Sequence, residues 1–201
     1  MTSRTPSITY LRQRSISDRP IRLCFFGMKH TGKSSLARSA AASLDIPWYD
    51  SDHLIASVLP EDMTLRDWYC REGILRFMEL EYELTDRLCR EQQNQSFSLS
   101  LGGGACENDR LMKLCSDEGI LILLDAPAEA LYNRIIPKGI PPFLDHRDPW
   151  GSFLKLYERR MNTYRSSCDV SVSLGEASLN RSEHYMCGQL PEIIARYYGR
   201  K

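Results

Sequence analysis

The 201-residue chain has no net charge, since 26 lysines and arginines balance 26 aspartates and glutamates. Without a global basic field, nucleic acid is not an expected partner. Long hydrophobic runs are also missing. A membrane-spanning helix needs ~18 apolar residues or more, whereas the longest run here, ILILL at 120–124, has the length of a strand. Membrane association is therefore not expected. The seven cysteines (24, 70, 89, 106, 115, 168 and 187) form no C-x-x-C pair and have no zinc-like spacing. Cys24 sits within the apolar LCFF, and the cysteine usage fits buried, reduced thiols in a cytoplasmic protein. There is no N-K-x-D motif of the kind that reads guanine, no internal repeat and no low-complexity segment. Residues 1–20, MTSRTPSITYLRQRSISDRP, stand apart: they are rich in Ser, Thr and Arg, with no acid before Asp18. Their weak apolar face argues against a transit-like leader. A short disordered tail is expected, ahead of a single domain over 21–201.

What is present is an apolar fraction of 42%, sufficient for one well-buried core. IRLCFF (21–26) is short and continuously apolar, as a strand buried on both faces should be. A helix is expected over 33–44 and a short strand over 46–50. Strong helical character runs over 64–93, broken near Gly73, with Leu75, Met78 and Tyr82 at helical spacing. Strands follow at 97–101, 120–125 and 169–174, alternating with helices to about 117 and over 128–136 and 150–167, and a closing helix at 190–198. Residues 137–149 form a proline-rich loop. Alternation of this kind builds a parallel sheet with helices on both faces and right-handed crossovers. Ligands in such folds bind beyond the carboxyl ends of the strands. Three of those ends carry GMKHTGKSS, Asp50-Ser51-Asp52 and Gly102-Gly103-Gly104, which points to one shared site.

Gly27 to Ser34, GMKHTGKS, satisfies G-x-x-x-x-G-K-S between an expected strand and an expected helix. Gly27 and Gly32 permit a tight loop whose N–H groups turn onto phosphate oxygens. The loop runs into a helix N-terminus, which adds partial positive charge. Lys33 should reach the β- and γ-phosphates, and the Ser34 hydroxyl should ligate Mg²⁺, which prefers oxygen donors. His30 and Thr31 lie inside the loop and Ser35 follows it, completing the candidate ATP-binding set. GTPase function is disfavoured by the missing guanine motif, and the chain is short for a motor ATPase. A small-molecule kinase is the class that remains.

Asp50 and Asp52 lie two apart at a strand end, and in extended geometry they would face the same side. One could hold a Mg²⁺-bound water while the other contacts a substrate hydroxyl. Phosphoryl transfer to an alcohol needs in-line positioning, charge neutralisation and a carboxylate near the attacking oxygen. The competing reading is that one of the two merely caps the next helix. The glycine triplet implies close approach of a ligand or another backbone, and a ligand is the reading favoured here.

With these residues in place, the chain resembles the shikimate kinase family, within the nucleoside-monophosphate-kinase-like group of P-loop kinases. The resemblance runs from about Ile21 to Asp169 and rests on GMKHTGKSS, Asp50-Ser51-Asp52, LGGGA at 101–105, Arg134 and RMNTY at 160–164. It implies a three-layer α/β fold: a five-stranded parallel sheet in the order 2-3-1-4-5, helices on both faces, and a lid at about 137–149. It also implies Mg-ATP-dependent phosphorylation of a hydroxyl on a small carboxylic acid, most directly shikimate. By position, Asp52 matches the residue that binds the substrate hydroxyls and acts as base, and Asp50 the acid near Mg²⁺. Gly103 and Gly104 match the substrate-pocket glycines, with Gly102 completing the triplet. Arg160 matches an arginine that pairs with the substrate carboxylate, and Arg134 the arginine that packs on adenine. A monomer is expected.

Two arginines of the family pattern are absent. In GILRFMELE, aligned through Gly73, Phe77 and Glu81, Met78 stands where a second carboxylate-binding arginine belongs. In the lid, Pro141 stands where an arginine belongs; Lys138, His146 and Arg147 are the nearby basic candidates. Another acceptor, a polyol or hydroxy acid such as gluconate, is the alternative, and a catalytically weak nucleotide-binding regulator is a third reading.

Overall fold

The computed structural model describes residues 5–16, 19–141, 144–175 and 177–199, and the backbone alone of Lys138. Among these residues six strands form one sheet: β1 (Ser7–Tyr10), β2 (Arg22–Phe26), β3 (Trp48–Asp50), β4 (Phe97–Ser100), β5 (Ile120–Asp125) and β6 (Val170–Ser173). Their order is β1-β6-β5-β2-β4-β3. Strands β2 to β6 pair in parallel. Counted from β2, they reproduce the expected order 2-3-1-4-5.

The sheet nonetheless differs from the expected five-stranded parallel one. β1 adds a sixth strand, antiparallel to β6, with Ser7 opposite Ser173 and Tyr10 opposite Val170. It lies in the segment expected to be a disordered tail. Its residues alternate between exposed and half-buried, the pattern of a strand with one wet face. By pairing with β6 it covers backbone groups that an open edge would leave unsatisfied. The following residues are also tied down: Arg14 Nε donates to Asp169 Oδ1 at 2.8 Å, and its Nη atoms reach the carbonyls of Ser116 and Gly119. Asp169 is fully buried, and the Tyr197 hydroxyl donates to the Arg12 carbonyl at 2.9 Å. Residues 1–4, 17 and 18 of the expected tail lie outside the described residues.

Among the described residues seven α-helices surround the sheet: α1 (Lys33–Leu44), α2 (Ser51–Ala56), α3 (Leu65–Glu91), α4 (Asp109–Glu118), α5 (Ala128–Ile135), α6 (Pro149–Ser167) and α7 (Leu179–Tyr198). Strand alternation divides the core in two. Leu23, Phe25, Ile120 and Ile122 face α1 and α7, whereas Cys24, Phe26, Leu121 and Leu123 face α3, α4 and α6. Five cysteines (24, 89, 106, 115 and 168) are buried as free thiols. Gly73, at φ 80° and ψ 172°, interrupts α3 where the sequence indicates a break. α7 begins at Leu179 rather than near Leu190, because Ser178 caps it by accepting from the Arg181 amide. Pro191, which lacks an amide donor, sits inside this helix, where the sequence reads more naturally as a helix start. Among the described residues no helix is long and apolar enough to cross a membrane.

Candidate functional site

At the carboxyl end of β2 the chain turns through Gly27 at φ 139°. A Cβ there would lie 2.6 Å from the Leu124 carbonyl oxygen, so a side chain would part β2 from β5. The loop closes on its own Met28 carbonyl, which accepts from the Thr31 hydroxyl at 2.9 Å and from Lys33 Nζ at 3.0 Å. Gly32, at φ 90°, leads into α1, whose first turn holds no acid and no side-chain cap. The orphan amides of that turn are left to an anion. Lys33 is buried, and burial lowers its pKa to about 8 against the opposing pull of Asp52 and Asp50. Ser35 is half-buried in the same turn. His30 has φ 66°, and its carbonyl accepts from Arg134 Nη1 at 3.1 Å, which sets Arg134 against the outer side of the loop.

The acid pair is not extended as the spacing suggests. β3 ends at Asp50 and α2 starts at Ser51, so the two carboxylates diverge from a strand–helix junction. The capping reading holds for Asp50, and its second oxygen meets the phosphate-loop serine. One oxygen caps α2 by accepting from the Asp52 amide at 3.0 Å, and the other accepts from the Ser34 hydroxyl at 2.7 Å. Ser34 Oγ also lies 3.2 Å from Ser100 Oγ at the end of β4. Two hydroxyls and a carboxylate make an all-oxygen set, which fits Mg²⁺. This cation keeps waters and substrate phosphates rather than requiring a cage of side chains. Among the described residues no three His, Cys, Asp or Glu side chains form such a cage. Burial first, and Asp50 second, raise the Asp52 carboxyl above its ordinary range, against the pull of Lys33 and Lys29.

Behind Asp52 lies Glu81 of α3, a buried acid that the family pattern aligned but to which the sequence reading gave no role. The Ser51 hydroxyl donates to its Oε1 at 3.0 Å, and Ser51 Oγ accepts from the Gly102 amide at 2.9 Å. Burial, opposed chiefly by that Ser51 bond, raises the Glu81 pKa to about 7.

The glycine triplet follows β4, and the chain itself makes most of the close approaches. A Cβ on Gly103 would stand 3.1 Å from the Lys29 amide nitrogen, and one on Gly102 would stand 3.1 Å from Glu81 and 3.2 Å from Asp52. The triplet therefore lets two loops and two acids crowd together, a different reason from the ligand favoured on sequence. Gly104 faces Arg160, whose Nη2 would be 3.5 Å from an added Cβ.

Arg160 of α6 donates to the Gly103 carbonyl at 3.0 Å, beside a 2.7 Å bond from the Tyr164 hydroxyl. Its Nη2 pairs with Glu107 Oε2 at 2.8 Å, while Arg159 pairs with Glu107 Oε1 at 2.6 Å. Sequence reasoning assigned no role to Glu107, which lies in the short 3-10 turn Ala105–Glu107. Met78 lines a groove of about 690 Å³ together with Leu75, Tyr82 and Glu107. Arg76 lines the same groove, where it is exposed and pairs with Glu79 at 2.6 Å. In the lid segment His146 and Arg147 are exposed. Pro142, Phe143 and the Lys138 side chain lie outside the described residues.

The family model for shikimate kinase matches residues 29–187. A shikimate kinase of Ruegeria pomeroyi is 30% identical over 155 residues, 77% of each chain. Another, of Mesorhizobium japonicum, is 31% identical over 177 residues, 88% of this chain and 82% of its own. Among solved structures, the shikimate kinase of Acinetobacter baumannii in complex with shikimate has a TM-score of 0.71 at 21% identity, covering 88% of this chain and 94% of that one. At that identity the likeness is one of fold.

Proposed function

Because the chain belongs to the shikimate kinase family and is a small-molecule kinase, we propose that it transfers the γ-phosphoryl group of Mg-ATP to a hydroxyl of a small hydroxy acid, shikimate being the foremost acceptor and shikimate 3-phosphate the product. The observation that carries this reading is the 2.7 Å contact of Ser34 with Asp50 beside the buried Lys33, with Asp52 in the next turn.

The loop amides over Gly27, His30, Thr31 and Gly32 and the first turn of α1 at Ser35 hold the phosphates. Lys33 exchanges its bond to the Met28 carbonyl for phosphate oxygens. Ser34 and Asp50 hold Mg²⁺, which when bound neutralises charge on the phosphates. Arg134, outside the loop, packs on adenine. Asp52 takes the proton of the acceptor hydroxyl as its oxygen bonds to the γ-phosphorus and the bond to ADP breaks. A raised carboxyl pKa brings that base closer to the working pH. Gly102, Gly103 and Gly104 shape the acceptor side, and Arg160 receives the acceptor carboxylate. Zero net charge supplies no field for nucleic acid and the buried free thiols suit the cytoplasm; the reading is completed by a monomer with no membrane partner.

Met78 favours a second reading: the pocket lacks one of two carboxylate forks, which suits another polyol or hydroxy acid such as gluconate. ADP release from Mg-ATP with and without shikimate, with Lys33→Ala as the blank, tests the proposal. Shikimate-dependent turnover that vanishes in the variant supports it. ATP binding without stimulation by shikimate rejects that acceptor, and a panel including gluconate then separates a different kinase from a regulator without turnover.

A further inference from the structure

Arg160 meets a carboxylate without any substrate. Its Nη1 is held by the Gly103 carbonyl, its Nη2 by Glu107, and its Nε is buried with no hydrogen-bond partner among the described residues. The guanidinium is only 18% exposed and Glu107 27%, whereas Arg159 is 68% exposed. Glu107 thus stands at the border between an inner arginine and an outer one, with one oxygen on each. Burial works against its ionisation, but Arg160 and then Arg159 more than offset this and hold the carboxyl below its ordinary range. It remains an anion at neutral pH.

Resting on the acceptor site proposed above, we propose that Glu107 is an internal competitor for Arg160, which an acceptor carboxylate must displace outward onto Arg159. Glu107 then determines specificity. A carboxylated acceptor meets a fork that is already filled, whereas an uncharged polyol does not depend on that fork. The turn Ala105–Glu107 directly follows the glycine triplet, so a movement of Glu107 is transmitted to the acceptor side of the proposed site. The pair is not fully exposed, so its competition exceeds the small value typical of surface ion pairs. Freeing a charge-assisted fork of this burial corresponds to about tenfold in affinity.

The test uses the full chain and two opposed variants. Glu107→Gln removes the competitor: KM for shikimate should fall about tenfold, with kcat within about twofold of wild type. Arg159→Gln removes the outer station and leaves Glu107 on Arg160: KM for shikimate should rise. If Glu107 instead merely positions Arg160, both variants raise KM, and that result overturns the proposal. A second readout needs no turnover. The rate at which phenylglyoxal modifies Arg160, followed by peptide mass mapping, should rise severalfold in Glu107→Gln and be suppressed by shikimate. An unchanged rate also overturns the proposal. If neither wild type nor variant phosphorylates any acceptor while the modification rate still responds to Glu107 and shikimate, the proposed reaction fails and the competition stands.

Discussion

Glu81→Gln should stabilise the folded chain at pH 8 and change little at pH 4. Glu81 is 2% exposed, and its pKa is raised from 4.5 to about 7, with burial as the first cause. The family pattern puts an arginine at position 78, three residues earlier and on the same helical face. Here Met78 leaves the acid without that cation. Because the folded chain binds this proton more tightly than the unfolded chain, the effect has a definite sign. Below pH 4.5 Glu81 is protonated in both states and no destabilisation arises. Between 4.5 and 7, stability falls by about 1.4 kcal/mol for each unit of rising pH. Above pH 7 the loss is complete, at about 3 kcal/mol. Glutamine keeps an oxygen that can accept the Ser51 hydroxyl, and it does not ionise. The variant-minus-wild-type difference in urea unfolding free energy should therefore grow from near zero at pH 4 to roughly 2–3 kcal/mol at pH 8. A difference that stays flat across this range would refute the reasoning, because a lost hydrogen bond alone carries no such pH dependence.

Three further outcomes are expected. Met78→Arg should supply both a partner for Glu81 and a second carboxylate fork, lowering KM for shikimate by about 10–100-fold; an unchanged KM would show that position 78 does not face the acceptor. Mg-ATP affinity should weaken as pH rises through about 8, where Lys33 loses the proton that makes it a cation, and titration calorimetry between pH 7 and 9.5 would show a level profile if Lys33 were not the phosphate ligand. Arg14→Ala leaves the buried Asp169 with only the Leu121 amide and backbone contacts, and should destabilise the chain by about 2–3 kcal/mol in chemical denaturation, a value discounted for the partial exposure of Arg14.

What could be read in advance was whatever lies in one contiguous stretch. GMKHTGKSS carries its loop and its helix start within nine residues, so the strand end, the turn and the helix are legible together. The apolar runs RLCFF and ILILLD likewise report burial on both faces directly, and the five parallel strands keep the order expected of them. The true start of α7 is not legible, because Pro191 locally favours a helix beginning there and tertiary packing overrides that preference. The strand SITY is not legible in sequence, because its polar composition conceals an alternation that matters only beside β6.

The sequence by itself therefore determined the glycine-rich turn that leaves β2, the alternating α/β order and the placing of two acids at the end of β3, since each depends on neighbours a few bonds away. Only the tertiary structure decided that Asp50 both caps α2 and meets Ser34, that Glu81 lies buried, that Arg14 clasps Asp169, and that Glu107 pairs with Arg160. Charge partners separated by tens of residues have no periodicity to betray them. Burial and electrostatic pairing arise when the chain closes, and this is why the acceptor side of the site was the part that composition and spacing left open.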